Sequence, residues 1–201
     1  MHKAISSQVI LASTSKMRQM LLKNAGLSFT SMAPIINELR QQQQLSGFNP
    51  RELSVNLAIQ KSQSLAVKAP TALILGADQT LELEGQILHK PLNLDAAKYQ
   101  LRQLRGKTHY LHSSLCCTKA GQVIWTCTES AELEVRSFSD KFLDDYIHQS
   151  ANSILDSVGA YKLEGLGVQL FSKISGDYFT ILGLPLLPLL SFLRQQNCLE
   201  A

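Results

Sequence analysis

Residues 73 to 91 constrain this chain more than any other stretch. Leu73-Ile74-Leu75-Gly76-Ala77 is an unbroken apolar run, and Asp78-Gln79-Thr80 follows it directly. The run predicts a buried strand with a carboxylate at its end. A charged group in a low-dielectric interior must be paired, hydrogen-bonded or metal-bound. In open α/β sheets, ligands bind in crevices outside strand ends of this kind. Glu84-Gly85 signals a short hairpin, after which His89-Lys90-Pro91 brings a lysine back toward the same end. An acid beside a base there points to phosphate chemistry assisted by a metal.

Strand and helix signals alternate around this stretch. Gln8 to Ala12 reads as a short apolar strand, and Ser13-Thr14-Ser15 supplies N-cap chemistry for a helix running toward Gly26. Leu27 to Met32 predicts a second strand. Glu38 follows in a polar region, and the Gln41–Gln44 run reads as an exposed, mobile loop. A helix is expected from Pro50 or Arg51 to about Lys68, the buried strand at 73–77, and a hairpin at 82–87. Asp95 to Leu104 is amphipathic and ends at Arg105-Gly106. Two long strands, 108–118 and 122–135, flank the turn Lys119-Ala120-Gly121. Ser139 or Asp140 caps a helix through Ile147, residues 161–174 read as extended, and Pro185 to Gln195 as a final helix. Early alternation followed by an antiparallel pair predicts an α/β protein with a mixed sheet.

The totals narrow the function class. A chain of 201 residues fits one domain, or one domain with two lobes. Its net charge of +3, with no basic run, argues against a nucleic-acid partner. Met1-His2-Lys3-Ala4-Ile5-Ser6-Ser7 lacks a long apolar core before a small-residue cleavage site, so no signal peptide is expected there. The most apolar stretch, 179–193, is broken by Gly183, Pro185 and Pro188 and is too short to span a bilayer. A cytoplasmic protein without a membrane partner is expected. Cys116 and Cys117 are adjacent on a strand and face opposite sides, so together they make no ordinary pair of metal ligands. With Cys127 and Cys198 they read as free thiols.

Several constellations carry candidate chemistry, and each has a plainer alternative. Ser13 to Arg18 joins a strand to a helix through small hydroxyl residues, presenting free N–H groups to an anion that Arg18 could clasp. The plainer alternative is an ordinary N-cap with an exposed arginine, since such caps are common. Glu38 and Asp78 are two carboxylates that could share a divalent ion or orient water; the alternatives are a solvated loop acid and a structural turn acid. Lys61 and Lys90 are candidate phosphate clamps, although Lys61 also reads as a solvated helix face. His109 reads as structural. Tyr161, among Gly159, Glu164 and Gly165, could stack on a base or simply belong to a turn-rich connection.

Taken in order, these segments resemble the Maf family, the septum-formation-inhibitor-like nucleoside triphosphate pyrophosphatases. The likeness runs from about Val9 to Leu193. It rests on Ser13-Thr14-Ser15-Lys16-Met17-Arg18, on Glu38, and on Leu57-Ala58-Ile59-Gln60-Lys61. It continues through Gly76-Ala77-Asp78-Gln79, His89-Lys90-Pro91 and Leu104-Arg105-Gly106-Lys107-Thr108-His109, and closes with Gly176-Asp177-Tyr178 and Gly183-Leu184-Pro185.

The resemblance implies a single Maf-like domain over 1–201, with a mixed twisted sheet flanked by helices and two lobes around a central cleft. It implies hydrolysis of a nucleoside triphosphate between the α and β phosphates, with Mg²⁺ or Mn²⁺, in a chain that is often dimeric. By position, Asp78 and Glu38 become the catalytic and metal-holding acids. Ser13, Arg18, Lys61, Lys90 and Glu164 become substrate-binding residues. The chain departs from the pattern where Lys16-Met17 replaces a Pro-Arg pair, Ser157-Val158 replaces Lys-Ala, and Glu164 replaces a glutamine. Glutamate in place of that amide removes two donors and adds a charge, which implies a changed base or metal preference. A rival of another class is a nucleotide- or nucleic-acid-binding regulator with weakened turnover. A dinucleotide oxidoreductase is disfavoured because Gly-x-Gly-x-x-Gly is missing after the first strand.

Overall fold

A computed structural model of the chain describes residues 8–36 and 47–200. Glu38 and the Gln41–Gln44 run lie outside the described residues. Strand β1 (Val9–Ala12) leads through Ser13-Thr14-Ser15 into helix α1 (Lys16–Asn24). Ser15 is the N-cap, its side chain accepting from the Arg18 N–H at 3.4 Å. Strand β2 (Thr30–Met32) is shorter than the predicted 27–32. Helix α2 (Pro50–Gln63) opens on a capping box: Asn49 accepts from the Glu52 N–H at 2.9 Å, and Glu52 accepts from the Asn49 N–H at 3.2 Å. It ends before the predicted Lys68, and hydrogen-bonded turns continue past it with Leu65 buried.

Strand β3 (Leu73–Leu83) corrects the first expectation, because it runs straight through Asp78. Thr80, Leu81 and Leu83 are all buried, so the pleated, half-buried pattern continues where an end was expected. Glu84 and Gly85, at φ +52° and +78°, turn the chain into β4 (Gln86–Leu88), with Leu83 opposite Gln86. Helix α3 (Leu94–Leu104) is capped by Asn93, which accepts from the Ala96 N–H at 2.8 Å. Ala120 and Gly121, also at positive φ, join β5 (Thr108–Lys119) to β6 (Gln122–Val135). Ser139 caps helix α4 (Asp140–Ser150).

Residues 161–174 are not extended throughout. A 3₁₀ segment, Leu166–Leu170, coils between Gly165 and β7 (Phe171–Ser175), with the Val168 N–H bonded to the Gly165 carbonyl at 3.2 Å. Asp177 caps a single unpredicted turn, α5 (Tyr178–Ile181), and α6 (Leu186–Gln195) follows Pro185.

The fold is α/β, a mixed seven-stranded sheet flanked by these helices. The strand order is β2-β1-β3-β5-β6-β7, with β4 paired to β3. Strand β1 pairs parallel with β2 and β3, while β4 on β3 and β7 on β6 are antiparallel. The chain divides into two compact units. The first comprises Met1–Gln79, Ser113–Glu129 and Gly183–Ala201; the second comprises Thr80–His112 and Ser130–Leu182. Ile10, Leu65 and Ile74 are in the core of the first. Leu81, Leu101, Leu111, Leu133, Leu143 and Tyr146 are in the core of the second. No described helix is long and apolar enough to cross a membrane.

Candidate functional site

The first unit brings four predicted residues into two hydrogen-bonded pairs. β1 pairs with β3 only as far as Ala12 opposite Gly76, so the sheet loses that neighbour just before Asp78. The open end that the sequence suggested therefore exists, but β1 makes it by stopping. Lys61 reaches Asp78 from α2, its Nζ donating to Oδ1 at 2.6 Å. Both residues are buried, at 6% and 7% exposure, which overturns the solvated-face alternative for Lys61. A buried charge pair of this kind is stable only with close geometry, and breaking it strands a charge.

Gly76 explains how the helix comes so close. Gly76 and Asp78 lie two apart on β3 and share a face. A Cβ on Gly76 would sit 2.7 Å from the Ser62 nitrogen and 2.9 Å from the Ser62 Cβ, and closer still to the Ala58 carbonyl oxygen. The α2 backbone thus rests on the bare α-carbon of Gly76. Small residues continue the contact: Ser54 Oγ lies 2.6 Å from Ser114 Oγ, and Ser62 Oγ lies 2.7 Å from Thr118 Oγ1 and 3.2 Å from Cys116 Sγ.

Ser13 and Arg18 form the second pair. Ser13 is buried, and its Oγ accepts from the Ser15 N–H at 3.2 Å and from Arg18 Nη1 at 3.4 Å. Arg18 is half-buried, which sets aside the exposed-arginine alternative. Its Nη1 donates to the Ala77 carbonyl and its Nε to the Gly183 carbonyl, both at 2.8 Å. Gly183 takes φ +91°, a conformation that L side chains rarely adopt, and so aims its carbonyl at the guanidinium. The sequence missed these acceptors because main-chain carbonyls leave no side-chain signature. It also missed Gln79, whose Nε2 donates to Ser113 Oγ at 2.9 Å.

Lys90 and Glu164 belong to the second unit and are exposed. The segment before Lys90 is tied down by Gln100 Nε2, which donates to the His89 carbonyl at 2.6 Å. Tyr161 does not offer a face to a base: it is 3% exposed, and burial pushes its phenol well up. His109 is wholly buried, and desolvation pushes its imidazole down to about 4. Another network in this unit went unforeseen. His112 Nε2 lies 2.8 Å from Glu82 Oε2 and its Nδ1 lies 2.8 Å from Ser130 Oγ. An ionised carboxylate only accepts, so toward it the His112 Nε2 is the donor.

Cys116, Cys117 and Cys198 are buried free thiols as expected, and Cys127 is partly exposed. Burial raises all four, which makes them poor nucleophiles. Among the described residues no group of three or more His, Cys, Asp or Glu side chains could hold a metal by itself.

Comparison with known proteins gives one family. The family model described as Maf-like protein matches residues 8–196. A nucleoside triphosphate pyrophosphatase of Caulobacter vibrioides is 48% identical over 193 residues, covering 95% of this chain and 96% of that protein. A 7-methyl-GTP pyrophosphatase of Brucella abortus is 42% identical over 195 residues, covering 96% and 98%. One of the same name from Rhizobium meliloti is 43% identical over 195 residues, also covering 96% and 98%.

Proposed function

The chain belongs to the Maf-like protein family, and on that premise we propose that it is a nucleoside triphosphate pyrophosphatase. The observation that carries the proposal within the molecule is the buried Lys61–Asp78 pair where the sheet opens. In the proposed reaction a water oxygen bonds to the α-phosphorus and the bond from that phosphorus to the α–β bridging oxygen breaks. Pyrophosphate leaves and the nucleoside monophosphate remains. Asp78 orients the water and takes up its proton, while Lys61 fixes the carboxylate and balances its charge. Ser13 and the start of α1 offer N–H and hydroxyl donors to phosphate oxygens, and Arg18 adds a fixed cation. Such a reaction needs chiefly positioning and charge stabilisation.

A divalent ion fits these residues. Mg²⁺ and Mn²⁺ take hard oxygen donors, and Mg²⁺ commonly binds one or two carboxylates together with substrate phosphates. The buried Asp78 carboxylate offers such a donor, without a surrounding cage of protein ligands among the described residues. Asp78 would hold the ion, with Glu38 as the second acid from the family pattern. Bound there, it would neutralise charge on the phosphates and polarise the reacting phosphoryl group. Lys90 and Glu164 enter as substrate-binding residues from the family pattern, and we infer with them a single functional domain, a homodimer and a cytoplasmic setting.

The test is a panel of standard and modified nucleoside triphosphates, 7-methyl-GTP included, with Mg²⁺ or Mn²⁺. Pyrophosphate and the monophosphate are the expected products, and Asp78→Asn abolishes their release. Inorganic phosphate as the first product, or turnover indifferent to Asp78→Asn, overturns the reading. Binding without turnover would favour the regulator.

A further inference from the structure

In the second unit a set of buried polar groups lies outside the proposed chemistry. His109, on β5, is completely buried. Its Nε2 lies 2.7 Å from the Tyr161 hydroxyl, and its ring meets Tyr161 edge-on at 5.6 Å and Phe171 at 6.1 Å. Its Nδ1 is buried with no hydrogen-bond partner among the described residues. An apolar side chain would fill this space without that unsatisfied nitrogen. Among the described residues, the imidazole's polar partner is the Tyr161 hydroxyl.

Tyr161 ends a backbone turn that needs holding. Gly159 and Ala160 take consecutive left-handed conformations, at φ +78° and +58°. Glycine accepts this freely, and alanine accepts it only where its surroundings enforce it. Here the Ala160 N–H bonds to the Ser157 carbonyl at 3.3 Å, and its own carbonyl accepts from the Tyr146 hydroxyl at 3.2 Å. A Cβ on Gly159 would meet Leu81 at 2.6 Å and the Tyr161 ring at 2.7 Å. The far side is equally tight, since a Cβ on Gly167 would lie 2.8 Å from the Lys162 nitrogen. The 159–161 end is therefore held against Leu81 and Tyr146, and residues 162–167 close tightly on themselves. Glu164 and Gly165 stand exposed within that closed turn.

We propose that His109 and Tyr161 are positioning residues, whose hydrogen bond holds the 159–167 turn so that Glu164 is presented to the substrate in one fixed geometry. The proposal rests on the reading of Glu164 as a substrate-binding residue. Rigid presentation of this kind lowers the ordering cost of binding. The role therefore shows in KM, with kcat spared.

Tyr161→Phe removes only the hydroxyl, and His109→Gln keeps a donor near the position of Nε2. Hydrogen exchange and steady-state kinetics on the full chain test the proposal. Tyr161→Phe is expected to speed amide exchange across 159–167 by about tenfold. It should raise KM by about tenfold with kcat within about twofold. His109→Gln should restore most of both relative to His109→Leu. In a Glu164→Ala background, Tyr161→Phe should add nothing further to KM. Unchanged exchange in Tyr161→Phe overturns the proposal whether or not any substrate is turned over. An additive effect on KM overturns it as well. If Glu164→Ala itself leaves KM unchanged, the reading of Glu164 falls and takes the proposal with it.

Discussion

Gly76→Ala adds one methyl group at the point where α2 rests on β3. The new carbon would lie 2.7 Å from the Ser62 nitrogen and 2.9 Å from the Ser62 Cβ, and closer to the Ala58 carbonyl oxygen. Comfortable contact begins near 3.5 Å, so the helix must recede by roughly 1 Å. Two of the obstructing groups are backbone atoms, which no rotamer change can move aside. Overpacking of this kind costs about 1–3 kcal/mol. Lys61 rides on the same helix, one residue before Ser62, and its 2.6 Å contact with Asp78 has no slack. Opening it by roughly 1 Å takes it outside hydrogen-bond range. A displacement of that size at a reacting group costs about 100-fold in rate. Thermal unfolding and pyrophosphate release together measure the variant. The expected outcome is a lowered midpoint together with a loss of kcat, approaching that of Lys61→Met. A variant with the original midpoint and kcat refutes the idea that the helix–strand contact at Gly76 sets the Lys61–Asp78 geometry.

Other outcomes follow from the same structure. Lys61→Met leaves the Asp78 carboxylate buried without its ammonium and should destabilise the fold by about 3–5 kcal/mol in urea unfolding, as for other broken buried pairs; a loss under about 1 kcal/mol would contradict that. Arg18→Lys keeps the charge but not the planar fork that reaches the Ala77 and Gly183 carbonyls together; a loss of about 2 kcal/mol and a raised KM are expected. His109 has its imidazole pushed down by burial from 6.5 to about 4, so the unfolded chain binds the proton more readily. The stability contributed by the neutral ring is complete above pH 6.5 and is lost as pH falls toward 4, by about 3 kcal/mol in all. His109→Gln should flatten that part of a stability–pH profile, and an unchanged slope would assign the acid sensitivity elsewhere.

Much of the fold could be read from local patterns, and the errors share a cause. Capping residues marked the starts of α1 and α4 because Ser15 and Ser139 do their work within four residues of themselves. The hairpin turns at Glu84-Gly85 and Ala120-Gly121 declared themselves for the same reason. Asp78 was the instructive miss. Its side chain was expected to end a strand, yet the strand continues, and the opening comes from β1, more than sixty residues earlier in the chain. Lys61 could not be told from a surface lysine, because its burial depends on a glycine in another element. Arg18 was visible as a cation, whereas its acceptors are carbonyls that any residue carries. Tyr161 advertised an aromatic face among glycines, but it is buried with its ring against Phe171 and against His109, which lies far away in sequence.

The hydrogen bond from Arg18 to Gly183 spans 165 residues and gives the candidate site a schedule. A ribosome makes the chain from the N-terminus, so β1, α1, α2 and the Lys61–Asp78 pair are all synthesised long before the carbonyl that Arg18 requires. Every residue of the second unit precedes Gly183. A nascent chain stalled before that point has both acids and cations in its sequence but cannot complete the anchorage of Arg18. Assembly of the candidate site is thus deferred until synthesis has passed residue 183, whatever order the remaining elements fold in.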